Sequence, residues 1–326
     1  MGFHAKLVTL GLCAALVAGC GAKAGGDGAA PVNTAPAAAP SSQTGALRAG
    51  DVAPPAEQTG GFDGNRAFAD VVKQVGFGPR PSGSASIGQL QEYIQSELAS
   101  CGCKVETDSF SADTPAGRLA MKNIVAKIPG DKPGIIMLAT HYDTKRLENF
   151  VGADDGASST AVMLELARLL CGRRGPYQVW ITFFDGEEAV KFIWQDPDNR
   201  YGSRQMAARL AMSGDLPKIK AVLLADMVGS RNLRFRREAD STKALTDLIW
   251  STAARLGYSN IFVNESSSTV DDHIIFLKRG VPAVDVINFE IPYWHTVEDT
   301  LDKVSAKSLA ITGHVFLESL KQLQSK

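Results

Sequence analysis

Charge of one sign is missing from this sequence: 34 Lys and Arg stand against 35 Asp and Glu, for a formal net charge of -1. The basic excess that nucleic-acid binding draws on is absent from the totals, so no nucleic-acid partner is expected. Long hydrophobic runs are scarce as well. Beyond residue 20 no stretch is apolar for long enough to span a bilayer as a helix. Cysteine is sparse, with five residues, of which Cys13 and Cys20 lie in the N-terminal segment. No dense disulfide framework can therefore stand in for a core. One pair among Cys101, Cys103 and Cys171 could close, but the sequence does not say which. Histidine also occurs only five times, and His4 lies in the N-terminal segment. Internal repeats are lacking. What remains is 44% hydrophobic residues over 326 positions, enough for a sizeable core and incompatible with disorder of the whole chain.

The first twenty residues, "MGFHAKLVTLGLCAALVAGC", place Lys6 before a short apolar stretch and end in small residues, the pattern of a secretion signal. The "VAGC" ending at Cys20 resembles the bacterial lipobox, which implies acylation of Cys20. The expected protein is exported to the cell envelope, faces the periplasm or exterior, and meets the membrane only through acyl chains. Residues 21–61 are rich in Ala, Pro, Gly, Ser and Thr and read as a flexible tether. The folded part is expected over 62–326.

Within it, apolar spacing predicts helices over "NRAFADVVKQV" and "IGQLQEYIQSELAS". Short apolar strands then alternate with amphipathic helices. "GIIMLAT", "YQVWITFF", "AVLLAD" and "PAVDVI" read as strands; "SSTAVMLELARLL", "YGSRQMAARLAM", "STKALTDLIWSTAARLG" and "SAKSLAITGHVFLESLKQL" read as helices. The expected fold is a single α/β domain with a central mixed, mainly parallel sheet flanked by helices on both faces.

Ligands of open α/β sheets bind at the carboxyl ends of the strands. His141 and Asp143 follow one strand, Glu187 and Glu188 a second, and Asp226 ends a third, while Asp154 and Asp155 lie in "VGADDG". Carboxylates crowded on one half-buried rim would repel and lose hydration unless a cation compensates them. Carboxylate oxygens with a few imidazoles suit zinc. His295, in "PYWHTVED", follows the last strand; His314, inside the final helix, reads as a packed or surface residue.

The succession "HYD", "VGADDGASSTAVMLELARLL", "FFDGEEA", "LLADMVG", "DDHIIFLKRGVP" and "YWHTVEDTLDKV" resembles the animal-type glutaminyl cyclases and their bacterial relatives, within the zinc-dependent aminopeptidase superfamily. The resemblance implies one zinc held by Asp155, Glu188 and His295. It makes Glu187 the general acid and base, and Asp226 and Asp271 further acidic residues at the reacting centre. Trp194 and Trp294 are implied as pocket walls. Departures from the animal pattern are Thr140 and Thr160 in place of a disulfide pair, and Asp285 in place of a histidine. Trp194 also falls one residue late after the glutamates, and "NFEIPYW" is one residue short.

The resemblance implies cyclisation of N-terminal glutamine in peptides or proteins to pyroglutamate, with release of ammonia. Two other readings remain open. A zinc aminopeptidase would use His141, Asp155, Asp226, Glu188 and His295 as a two-metal site, with Glu187 activating water. A tethered binding protein on a dead peptidase scaffold would be expected to have lost some of these residues, and none is missing.

Overall fold

A computed structural model describes residues 48–325. Cys20 and most of the proposed tether lie outside the described residues. Two helices open the fold, α1 (Gly64–Val75) and α2 (Ala85–Ser100), each begun by a side-chain cap: Asp63 accepts from Arg66 N–H and Ser84 from Ile87 N–H. A hairpin follows, β1 (Lys104–Thr114) and β2 (Gly117–Ile128). The alternating part then runs β3 (Ile135–His141), α3 (Ala157–Leu170), β4 (Gln178–Phe184), α4 (Tyr201–Ser213) and β5 (Ile219–Asp226). It continues through β6 (Phe235–Glu238), α5 (Lys243–Arg255), β7 (Phe262–Ser267), α6 (His273–Leu277), β8 (Ala283–Ile287) and α7 (Ala306–Gln324).

Six strands form the main sheet in the order β1-β2-β4-β3-β5-β8. β4, β3, β5 and β8 are parallel, and β1 and β2 add an antiparallel edge. The mixed, mainly parallel sheet expected from the strand-helix alternation is present. The β1-β2 hairpin was not expected: β1, "KVETDSFSADT", is mostly polar and partly exposed, so no apolar run marks it.

Side chains alternate across each central strand, which separates two cores. Ile136 and Leu138, Val179 and Ile181, and Leu223 and Ala225 face the larger one under α1, α3, α5 and α7. Met137, Trp180 and Leu224 face the other, closed by Met206 and Leu210 of α4 and Phe276 of α6. Both faces are covered, so the strands are apolar at successive positions.

Composition placed the tether boundary at residue 61, and packing moves it earlier. Ala53 belongs to the main core, Thr59 is buried, and Arg231 pairs with Asp51 at 3.1 Å. Small residues close the gap here: a Cβ on Gly64 would come 2.3 Å from Ala306 O and 2.8 Å from the Ala53 methyl. A low-hydrophobicity segment can thus be ordered by a surface shaped to receive it.

Cys103, before β1, is bonded to Cys171, after α3, and Cys101 is free. Thr140 and Thr160 both donate to the carbonyl of His141, at 2.8 and 3.1 Å. Two hydroxyls meet where the resemblance implied a disulfide in the animal enzymes. His314 is packed, with its ring 3.2 Å from Tyr258 Oη.

Candidate active site

Because β3, β4, β5 and β8 are parallel, their carboxyl ends share one edge, and the residues beyond them converge there. Asp155, in the loop before α3, lies between two imidazoles. His295 Nε2 is 3.4 Å from Asp155 Oδ2 and 3.0 Å from Glu188 Oε1. His141 Nε2 is 3.4 Å from Asp155 Oδ1 and 3.0 Å from Asp226 Oδ1. Two candidate metal sets share Asp155: one with Glu188 and His295, the other with His141 and Asp226.

The first set fits a zinc ion on its donors. Ligands about 2.0–2.1 Å from a tetrahedral zinc stand roughly 3.3 Å apart, close to the separations of His295 from Asp155 and Glu188. Asp155 Oδ2 and Glu188 Oε2 are buried and accept no hydrogen bond, with His295 and Lys145 standing off at 3.4 and 3.6 Å, so both oxygens have lone pairs free for a cation. The second set has the same spacing, with His141 Nε2 3.0 Å from Asp226 Oδ1, and His141 Nδ1 lies 3.2 Å from Asp143 O.

The loops that carry these groups are held by residues to which the sequence assigned no such role. Asp143 accepts the backbone N–H groups of Glu187 and Glu188, at 3.1 and 3.3 Å, and so fixes the direction in which both glutamates leave β4. Asp299, four residues after His295, accepts the N–H groups of Asp154 and Asp155, at 2.8 and 3.0 Å. Arg80 is wholly buried and donates to the carbonyls of Gln74, Gly78, Val151 and Gly152, tying the Asp155 loop to the end of α1. Burial pulls its guanidinium down to about 10 against the raising charges of Asp299 and Asp155. Lys145 is buried, its Nζ 3.6 Å from Glu188 Oε2 and 5.8 Å from the Trp194 ring. Asp299 sits inside the quoted "YWHTVEDTLDKV" and Lys145 two residues after "HYD", so position was the available signal. Arg80, in "GPRPS", had none beyond ending a helix.

Backbone strain gathers here too. His295 has φ 52° and Met227 φ 47°, a region non-glycine residues seldom occupy unless the surroundings enforce it. Gly156 has φ 93°, and a Cβ there would lie 2.8 Å from Asp143 O, so only glycine lets the Asp155 loop pass so close to β3.

A cavity of about 220 Å³ opens on this cluster, lined at its floor by Asp155, Glu187, Glu188, Asp226, Asp271 and His295. Trp194, Trp294, Ile287 and Phe289 supply apolar walls. Trp294 stacks on the His295 imidazole with centroids 4.0 Å apart and leans on Phe289 at 4.9 Å. Every site residue expected in the folded part is thus brought to one cavity. Burial pushes the Glu187 carboxyl well up, Asp271 and Glu188 add to the rise, and His141 opposes it. Asp226 is pushed up to about 7 by burial, again opposed by His141. Burial also raises Asp285, behind the floor on β8, reinforced by the charges of Asp271 and Asp226.

The profile of peptidase family M28 matches residues 123–320, more than half of the chain. The chain belongs to peptidase family M28. Among curated relatives, the glutaminyl-peptide cyclotransferase-like protein of Bos taurus is 32% identical over 253 residues, 68% of this chain and 66% of the bovine protein. Among solved structures, an Acidobacteriales bacterium glutaminyl cyclase is 41% identical with a TM-score of 0.75, over 81% of this chain and 95% of the other. A Zn-dependent exopeptidase from Parabacteroides distasonis is 27% identical with a TM-score of 0.71, over 79% and 97%. The same fold therefore appears in proteins described as glutaminyl cyclases and in one described as a Zn-dependent exopeptidase.

Proposed function

We propose that this protein is a zinc-dependent glutaminyl-peptide cyclotransferase that converts N-terminal glutamine of peptides or proteins to pyroglutamate and releases ammonia. The observation that carries the reading is the cavity: a floor of Glu187, Asp226 and Asp271 faced by the Trp194 and Trp294 indoles, in a chain most similar in sequence, among the structures compared above, to a glutaminyl cyclase.

Asp155, Glu188 and His295 would hold one zinc ion, which supplies Lewis acidity toward the glutamine side-chain carbonyl. The substrate's α-amine bonds to that carbonyl carbon, and the bond from carbon to the amide nitrogen breaks. Glu187 takes the proton from the attacking amine and returns it to the departing nitrogen, which leaves as ammonia. A carboxyl raised by burial is suited to both halves of that exchange. Asp226, held by His141, and Asp271 orient the proton path. Trp194 and Trp294 flank the flat amide and keep water from competing with the amine.

The two-metal aminopeptidase reading would require His141 and Asp226 as further ligands beside Asp155; the similarity to glutaminyl cyclases over most of the chain favours the single-zinc reading. Incubation of the purified protein with a glutaminyl peptide separates the two. Ammonia with no free glutamine is the expected outcome; free glutamine would replace the reading with a peptidase. Metal analysis should find about one zinc per active chain. Export and acylation at Cys20 are part of the same proposal and are supported by the sequence alone. Mass analysis of the mature N-terminus tests them, and an unmodified Cys20 would remove the anchor.

A further inference from the structure

The edge of the main sheet opposite the cavity is basic, and the chemistry above makes no use of it. Each of the six strands brings a cation there. Lys104 opens β1 and is in register with Lys127, near the end of β2, while Lys220 is the second residue of β5. Lys132 lies in the turn before β3, Arg173 between α3 and β4, and Arg279 between α6 and β8. With neighbouring strands about 4.8 Å apart, the row is about 24 Å long. Packing joins its parts. Lys132 and Lys220 both stand over the Tyr177 ring, at 5.6 and 4.6 Å. Lys104, Lys127, Arg173 and Arg174 line one hollow of about 290 Å³, and Lys220 and Arg279 line a second of about 430 Å³. The acids placed among them are occupied: Glu106 holds Lys104 and Lys127 at 2.9 and 2.6 Å, Asp131 holds Arg174, and Asp215 holds Lys218. Lys132, Arg173, Lys220 and Arg279 have no carboxylate partner among the described residues, so the edge keeps an excess of positive charge in a chain whose formal net charge is -1.

We infer that this basic edge docks the folded domain on an anionic phospholipid surface, with the cavity at the opposite edge facing away from the bilayer. A row of fixed cations attracts the phosphate layer of such a surface. Helix ends do not account for the row. Cations are favoured just after a helix C-terminus, but only Arg173 and Arg279 follow one; the other four lie on strands or in a strand-to-strand turn. Nucleic acid is the other extended polyanion, and the secretion signal read at the N-terminus directs the chain to where phospholipid headgroups are the abundant anions. The acyl anchor proposed at Cys20 would hold the chain at a membrane without orienting the domain. Residues 21–47 span at most about 90 Å when fully extended, enough to let either edge turn to the bilayer. Docking by the basic edge selects one orientation and leaves the cavity open to peptides in solution.

The test is co-sedimentation with vesicles, using protein that lacks its first 20 residues and so carries no acyl chain. Vesicles of about 30% phosphatidylglycerol in phosphatidylcholine should bind it, pure phosphatidylcholine should not, and about 0.5 M salt should release it. The triple variant Lys132→Gln, Arg173→Gln and Lys220→Gln should weaken binding about hundredfold, roughly fivefold per charge, while zinc content and ammonia release stay near wild type. A second triple variant, Lys73→Gln, Lys191→Gln and Lys307→Gln, removes the same charge from exposed positions off that edge and should cost less than about threefold, because salt screens distant charges. Should the first variant fold poorly, Lys132→Gln alone takes its place, with a loss of about fivefold. Equal binding to both kinds of vesicle, binding to neither, or equal losses in the two triple variants overturns the inference. Tighter binding to a double-stranded oligonucleotide than to the anionic vesicles at the same salt would assign the edge to nucleic acid and overturns it too. Docking uses neither a catalytic step nor an acyl chain, so failure of the cyclase reading or of the Cys20 anchor shows in other measurements.

Discussion

Glu187 and Glu188 are neighbours with different work. Glu188 reaches His295 at 3.0 Å, while Glu187 lines the cavity with its carboxyl raised by burial. Glu187→Gln should lower turnover by about a hundredfold or more, the scale of a lost general acid and base, with zinc content unchanged. Near-normal turnover in that variant would move the proton transfer to another residue. Asp299 works at one remove, through the N–H groups of Asp154 and Asp155. Asp299→Ala should weaken zinc about tenfold to a hundredfold in a competition titration, the usual cost of losing support behind a ligand. Unchanged affinity would show that the Asp155 loop holds its shape unaided. Neither consequence follows from residue type alone, because Asp299 looks in the sequence like any acidic residue in a turn.

At the scale of elements, the site depends on how segments distant in sequence are tied. The Cys103–Cys171 bond joins the start of β1 to the end of α3 across 68 residues of sequence. Closing a loop of that length removes enough unfolded-state entropy to stabilise the fold by about 4 kcal/mol. Cys103→Ser should lower the denaturant midpoint accordingly while leaving kcat near wild type, since the bond lies away from the cavity. Equal unfolding curves under oxidising conditions would show that the bond contributes nothing. Arg80 ties α1 to the Asp155 loop through four carbonyls, those of Gln74, Gly78, Val151 and Gly152. Arg80→Met should cost about 3–5 kcal/mol, the range for stripping a buried charged group from its partners.

For the whole molecule, the concentration of buried carboxyls sets how stability responds to pH. Burial, with the charge of Asp143, raises Asp185 to about 7, and burial, with the charge of Asp271, raises Asp272 to about 8. In the unfolded chain both lose their protons near the ordinary aspartate value. Between about pH 4 and about pH 8 the folded state therefore binds more protons than the unfolded one, and stability falls as pH rises. Metal-stripped protein should show a Tm that drops from about pH 5 to about pH 8, and Asp185→Asn should flatten the drop. A Tm rising over that interval would contradict the burial of these groups. Zinc should lift the Tm throughout, because it binds the folded state alone.

The sequence by itself determined the central architecture and the chemistry of the rim. Apolar strands such as "GIIMLAT" and "AVLLAD" are buried on both faces, and a strand with two cores must be apolar at successive positions. Acidic and imidazole groups placed after such strands reach one edge because parallel strands share their direction. Only the tertiary structure decided the rest. The β1 edge carries mixed polarity because it is half exposed, residues 49–59 are ordered by a surface formed from α1 and α7, and the partner of Cys171 is chosen by how α3 and β1 both pack on α2. The same holds for Arg80, Asp143 and Asp299, whose value lies in which backbone groups they reach. Hydrophobic period is a local property that a chain carries with it, whereas a hydrogen bond between residues far apart exists only once packing has brought them together.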